Sequence, residues 1–436
     1  MRLLPVAVAA LAAFAAMPMA LAANLSEIYA LALAEDAQFA AAVNAAVAGR
    51  EKSVQGLALL RPSLNVSGNV RRNHDVPVGQ SDYRQYNSSA LNLTGRQPLM
   101  RQADRATSEQ GELQAQLAEQ QLRLAQQELL LRVSRGYFEV LQAQDALATV
   151  GAQKEAFAQQ LAQARRGFEV GLAPVTDVNE AQSRYDLTLA QEIAARNELE
   201  VKRGNLEKSI RRPLPPLATL DPKASIDILP ADQLRTLSES AETNATSVAI
   251  GTTTEQIARF EVEKQDAGHA PTIDLVGNVG RILNPNFVFF SQQTKVASIG
   301  VEVAVPIYQG GGISSRSREA AANLARAQNE LDNARRQARI DARQAMLGVQ
   351  TGTALNQALR QAVSSSETQV RSTQRGLEVG LRSRVDVLNA EQQLFTTRRD
   401  LSAARYQALI SGLQLKAISG VISSTDLQVL DTLLKD

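Results

Sequence analysis

Two hydrophobic patterns alternate along the chain. Over about 62–72, apolar and polar positions take turns: Leu64, Val66, Gly68 and Val70 share one face, and Asn65, Ser67, Asn69 and Arg71 share the other. Period-two alternation is the mark of a strand with unlike faces. The same spacing predicts strands over about 86–98, 271–281 and 295–305. The last of these sets Ala297, Ile299, Val301, Val303 and Val305 against Ser298, Gly300, Glu302 and Ala304. Each run is about ten residues, the length a tilted strand needs to cross a bilayer.

The other pattern is helical. Leu117, Leu124, Leu131 and Phe138 recur every seven residues, flanked by Leu122 and Leu129 and by Val133, Val140 and Leu147. This coiled-coil seam predicts a long helix over about 101–165, with a counterpart over 313–374. At 1.5 Å per residue such a helix spans roughly 100 Å, too long for a compact domain. Shorter helices are expected over about 26–58 and 178–209, and again over 235–268 and 386–418.

These elements come in two sets. RGFEVGLAPVTDV, Arg166 to Val178, returns as RGLEVGLRSRVDV, Arg375 to Val387, 209 positions later. Pro62 to Val70 and Pro271 to Val279 stand at the same offset, so the whole plan is duplicated. The expected division is residues 1–22, a first repeat over 23–227 and a second over 228–436. The recurring phrase reads as a hairpin tip, at 166–178 and 375–387. Gly167 and Gly171, like Gly376 and Gly380, end the outgoing helix. Thr176 or Asp177, and Asp386, are placed to cap the returning one. After the first return, Arg211-Arg212-Pro213-Leu214-Pro215-Pro216 forces irregular chain, read as an equatorial belt over 210–227 that a C-terminal segment joins.

Composition narrows the function. The first 22 residues carry one Arg, an apolar and Ala-rich run and Ala20-Leu21-Ala22, the pattern of a removable export signal. Without them the chain has 45 basic and 45 acidic residues, which argues against a nucleic-acid partner held through phosphates. It contains no Cys, hence no disulfide framework, thiolate site or lipidated thiol. Aromatic residues are few, and Tyr83, Tyr86, Phe287, Phe289, Phe290 and Tyr308 gather beside the strands, as in an interfacial girdle. His74 and His269 have no ligand cluster around them and read as rim residues. Gly310-Gly311-Gly312 lacks the ending of a phosphate-binding loop and reads as a bend from strand to helix. Arg335, Arg339 and Arg343 form a basic helix stripe. No constellation supports an enzyme, and no metal or cofactor is expected.

Four membrane strands cannot close a barrel, because the smallest closed barrels have eight and lipid tolerates no open edge. Several copies must therefore combine. Their polar strand faces, with Asn65, Arg71, Thr94, Arg96, Asp274 and Glu302, would line a wet lumen.

The paired Val-Gly-Leu tips, the run Val305-Pro306-Ile307-Tyr308-Gln309-Gly310-Gly311-Gly312 and the run Val385-Asp386-Val387-Leu388-Asn389-Ala390 resemble the TolC family. The resemblance covers nearly all of the chain after the export signal. It implies a homotrimer in the Gram-negative outer membrane: a 12-stranded β-barrel, four strands per chain, continuous with a periplasmic α-helical barrel. It further implies an exit duct for a tripartite efflux pump or type I secretion system, working with a periplasmic adaptor and an inner-membrane transporter. By the same resemblance Asp177 and Arg382 belong to the links that close the entrance, and Asp386 to an acidic ring. Two departures stand out: Leu377 replaces a gate Tyr, and Asn389 replaces the ring's second acid. The tip residues Gly167, Val170, Gly171, Leu172, Gly376, Val379, Gly380 and Leu381 would form the adaptor-docking surface. The rival is a structural trimeric coiled-coil surface protein, which accounts for the heptads but not for the duplicated two-faced strands.

Overall fold

The computed structural model describes residues 22–75, 84–222, 224, 226, 229–283 and 293–435. The expected export signal lies outside them, as do Tyr83, Phe287, Phe289 and Phe290. In chain order the elements are α1 (Leu25–Glu35), α2 (Ala37–Ala58), β1 (Ser63–Asp75), β2 (Arg84–Met100), α3 (Gln102–Glu169), α4 (Val175–Ile210), β3 (Thr219–Leu220), α5 (Ala231–Asn244), α6 (Thr246–Asp266), β4 (Thr272–Leu283), β5 (Gln293–Ala304), α7 (Gly312–Glu378), α8 (Arg384–Ile418), α9 (Ser424–Asp431) and β6 (Leu434–Lys435). The order helix pair, strand pair, long helix, return helix occurs twice.

The chain forms two compact units. One takes residues 42–123 and 247–335, and its centre is a four-stranded antiparallel sheet in the order β1-β2-β4-β5. Register keeps the two faces distinct from strand to strand. Asn65, Thr94, Asn278 and Ser298 form one cross-strand row, and Val66, Leu93, Val279 and Ala297 form the next. A slip of one residue would exchange the faces. The register shifts once, between Pro98 and Met100 of β2, where a residue without an N–H is tolerated. β1 and β5 each pair on one side only among the described residues.

The other unit takes residues 1–41, 124–246 and 336–436. Its core joins Leu25 and Ile28 of α1, Leu129, Val133, Tyr137, Phe138 and Leu141 of α3, Leu206 and Ile210 of α4, and Leu409 and Leu413 of α8. The deepest residues of α3 therefore follow a 129, 133, 137, 140–141 spacing. Leu117, Leu124 and Leu131 of the expected heptad row are only half-buried, because α3 here contacts helices on more than one side and not a single coiled-coil partner. Tyr137 donates its hydroxyl proton to Ala218 O at 2.8 Å. The irregular belt begins where Arg211 takes a left-handed conformation at the end of α4. It is stitched by pairing of β3 with β6 and by Asp431, which accepts from Leu25 N at 2.9 Å at the positive end of α1.

Two expected helices are broken. The run 26–58 divides at Asp36, whose carboxylate accepts from Phe39 N at 2.8 Å and pairs with Arg132 at 3.0 Å. The run 235–268 divides at Ala245. Asp36 offers the backbone a local alternative to helix, a signal that apolar periodicity does not carry.

Candidate functional site

The two hairpin tips share one backbone solution. Gly171 and Gly380 have φ of +73° and +77°, the left-handed region that suits Gly. At the first tip Leu172 N donates to Gly167 O at 2.7 Å and Gly171 N to Phe168 O at 3.0 Å. At the second, Leu381 N donates to Gly376 O at 2.8 Å and Gly380 N to Leu377 O at 3.0 Å. This Schellman pattern satisfies the last helix carbonyls. Gly167 and Gly376 thus do not stop the helix, as the sequence suggests; they are its C3 residues. At Gly376 the need is for space, since a Cβ would stand 2.7 Å from Arg382 Cγ.

The returning helices start differently. Ser383 caps α8, and its hydroxyl accepts from Asp386 N at 3.2 Å while Asp386 Oδ2 accepts from Ser383 N at 2.9 Å. Asp386 is therefore the N3 partner of a capping box, not the cap residue. Pro174 caps α4 without a side-chain bond. Proline has no N–H, so Asp177, which is likewise N3, has no reciprocal partner. Its carboxylate instead faces Arg384 Nε at 3.6 Å, an ion pair longer than a hydrogen bond.

The within-chain partner of Asp177 is thus Arg384 and not Arg382. Arg382 is exposed, and its charge acts on Asp386. The Asp386 carboxyl is held below its ordinary range, first by the Ser383 N–H, then by the Ser383 hydroxyl and Arg382. Asn389 accepts from Arg184 Nη2 at 3.1 Å, so it ties α8 to α4 where an acid would add charge. The Leu377 side chain is half-buried. Val170, Leu172, Val379 and Leu381 are all exposed, Leu172 to 86% and Leu381 to 81%. Four apolar side chains in solvent at two turns make a surface suited to a partner.

A further buried acid went unnoticed in the sequence. Glu391 of α8 is 6% exposed; its Oε1 accepts from Gln160 Nε2 of α3 at 3.3 Å and from Gln374 Nε2 of α7 at 3.2 Å. Its signal is a lone carboxylate at the helical spacing of Val387, Leu388, Leu394 and Phe395, all buried.

On the sheet, the residues singled out for a lumen share a polar face. Asn65 lies opposite Thr94, and Thr94 Oγ1 is 3.2 Å from Asn278 Oδ1. Arg71 lies opposite Ser88. Arg96 bridges Asp274 at 2.5 Å and Glu302 at 3.0 Å. Arg101, just after β2, grips Asp274 with two bonds of 2.8 and 2.6 Å. Spacing alone did not mark Arg101, because it lies outside the alternating run. The opposite face presents Leu64, Val66, Val70, Leu91, Leu93, Val279, Ile299, Val301 and Val303, every one exposed. Arg339 of the basic stripe is committed to Glu242.

Known proteins of similar sequence and shape carry this architecture. The family model described as "Outer membrane efflux protein" matches residues 28–210 and 237–421, one stretch in each repeat. The chain is 32% identical to the proteases secretion protein PrtF of Dickeya chrysanthemi, over 93% of this chain and 90% of that protein. It is 31% identical to the outer membrane protein TolC of Vibrio cholerae, over 94% of each. It is also 31% identical to the alkaline protease secretion protein AprF of Pseudomonas aeruginosa, over 94% of this chain and 87% of that protein. The crystal structure of the outer membrane protein VceC from Vibrio cholerae superposes with a TM-score of 0.79 at 16% identity, covering 91% of this chain and 96% of that one. Duplicated matches over nearly the whole length, on a fold with a two-faced sheet and paired helical tips, place this chain in the outer membrane efflux protein family.

Proposed function

We propose that three copies of this chain close one 12-stranded barrel, and that the barrel is the outer-membrane end of an exit duct gated at the hairpin tips. The observation that carries the reading is the sheet: nine large apolar side chains on one face stand in solvent, the other face is polar and charged, and among the described residues the outer edges of β1 and β5 are unpaired. Lipid covers such a face at about 25 cal/mol per Å² of apolar surface, while an open edge in hydrocarbon costs several kcal/mol per unmet group. Pairing β5 of one copy with β1 of the next removes both edges. A fibrous stalk has no use for a sheet of this kind.

At the hairpin tips, the exposed Val170, Leu172, Val379 and Leu381 are the contact surface for a periplasmic adaptor, which links the duct to an inner-membrane transporter. The loose pair of Asp177 and Arg384 suits a gate: at 3.6 Å it is longer than a hydrogen bond, and an adaptor can outcompete it. The named relatives include two protease secretion proteins and a TolC, and a passive duct of this kind serves polypeptide or small-molecule export alike.

The test is conductance of the detergent-extracted trimer in a planar bilayer. A small, steady conductance that rises when Asp177 is changed to Asn supports the duct and its gate. Absence of conductance from trimeric, membrane-inserted protein overturns the reading.

A further inference from the structure

The Glu391 cluster contains a defect that one proton repairs. Glu391 Oε2 and Gln160 Oε1 are both buried and both lack a hydrogen-bond partner. They belong to side chains already joined by the Gln160 Nε2 to Glu391 Oε1 bond. A carboxylate only accepts, and of the two Nε2 hydrogens of Gln160 the one that reaches Glu391 is already committed to Oε1. The cluster is therefore short of a donor, and a proton on Oε2 is the group that would supply it. Both residues are more than nine-tenths buried, Glu391 at 6% exposure and Gln160 at 8%. An unmet polar atom in such a place costs about 1–3 kcal/mol, and a charged one more.

No nearby charge compensates an ionised Glu391. The bonds that reach it come from two neutral amides, one on α3 and one on α7. The charged groups of the surrounding elements are engaged elsewhere or, like Arg375 and Glu378 of α7, exposed. On α8 and α4, Arg384 faces Asp177 and Arg184 pairs with Glu180 at 3.0 Å. Asp386 is held by Ser383. Arg398 of α8 pairs with Glu367 of α7 at 2.8 Å, Arg371 of α7 donates to Thr368, and Lys154 of α3 pairs with Glu192 at 2.6 Å. Arg165 of α3 donates to Gln182 at 2.6 Å.

We infer that Glu391 is a proton-binding latch: neutral, it locks α8 against α3 and α7 five residues beyond Asp386, and ionised, it loosens that three-helix contact. Burial raises the Glu391 carboxyl above its ordinary value, against the lowering effect of the Gln160 and Gln374 amides. The sign follows from linkage. The packed state holds the proton more tightly than the loosened state, so packing is strongest below the ordinary carboxyl value and weakens as pH rises through the raised one. The consequence for gating, easier opening at higher pH, rests on the duct reading above; the proton site itself does not.

The experiment has two arms on the full-length trimer in detergent. Hydrogen exchange over 386–398, corrected for its intrinsic pH dependence, is compared at pH 5 and pH 8. Wild type should lose protection by about three- to tenfold at the higher pH, Glu391→Gln should stay near the pH 5 value throughout, and Glu367→Gln should keep the wild-type dependence. If Glu391→Gln does not assemble, Glu391→Leu carries the same comparison. Equal pH dependence in wild type and the Glu391 variant overturns the inference, as it would if an ordered water supplied the missing donor. In the second arm, bilayer conductance should rise with pH in wild type and not in Glu391→Gln. A pH-sensitive exchange with pH-insensitive conductance keeps the proton site and overturns its gating role. No conductance in any protein overturns the duct reading, while the exchange arm still decides the latch.

Discussion

Asp177 and Arg384 stand 3.6 Å apart across the two hairpin turns. The pair exists because Pro174, unlike Ser383, cannot complete a capping box and leaves its N3 acid free. A repeat that began as two equal tips has thus become one tip with a committed aspartate and one with an available aspartate.

Changing Arg384 to Ser should therefore loosen the resting tips more than changing Arg382 to Ser. The Asp177–Arg384 pair is longer than a hydrogen bond and Arg382 makes no ion pair with Asp177, so folding and trimer yield should be unchanged. Single-channel conductance separates the two variants: a severalfold rise for Arg384→Ser and a smaller one for Arg382→Ser are expected, and the reverse order would return the gate to Arg382.

The caps should respond unequally. Ser383→Ala removes a side-chain cap and should cost the start of α8 about 1 kcal/mol. Pro174→Ala removes no side-chain cap and supplies the N–H that Asp177 lacks as a partner, so it should not destabilise the start of α4. Exchange rates of the first-turn amides of each helix read the difference.

At Gly380, with φ of +77°, substitution by Ala should cost about 1–2 kcal/mol. Asn, which tolerates the left-handed region better, should cost less. Thermal melting of the trimer, or proteolysis at the second tip, orders the three residues.

The acid that anchors the polar face should matter more than its neighbour. Asp274 is 4% exposed in its side chain and holds two arginines; Asp274→Asn leaves both without their shared charge and should cost about 2–4 kcal/mol. Glu302, exposed at 58%, should cost about 1 kcal/mol or less on change to Gln. Heat resistance of the trimer in detergent is the measurement.

Asp386 should stay charged to lower pH than a free aspartate, because the Ser383 N–H and hydroxyl favour its anion. The contribution of the box to α8 is present above the ordinary carboxyl value and is lost as pH falls through the lowered one. Exchange of the first-turn amides of α8 should follow that titration, and Ser383→Ala should move its midpoint to higher pH.

Much of this was legible in the chain itself. The two-faced strands were readable because a strand repeats every two residues, and the register of this sheet keeps the predominantly apolar faces of all four strands on one side. The duplication was readable because the tip phrase keeps Gly and Asp where a Schellman turn and an N3 acid require them. The polar face with Asn65, Thr94, Arg96, Asp274 and Glu302 was legible too, since alternation assigns faces without coordinates.

Tertiary structure decided what depends on distance across helices. Whether Asp177 meets Arg382 or Arg384 is set by two turns packed side by side, and both arginines precede Asp386 closely enough that spacing cannot choose. Arg101 became part of the charged cluster only when the end of β2 met the start of β4. In α3 the flanking Leu129, Val133 and Val140 lie deeper than Leu117, Leu124 and Leu131 because several helices contact α3, while Phe138 of the heptad row is fully buried. Glu391 is an ordinary glutamate in the sequence; three helices closing around it, with two amides and no cation, make it a buried acid short of one proton.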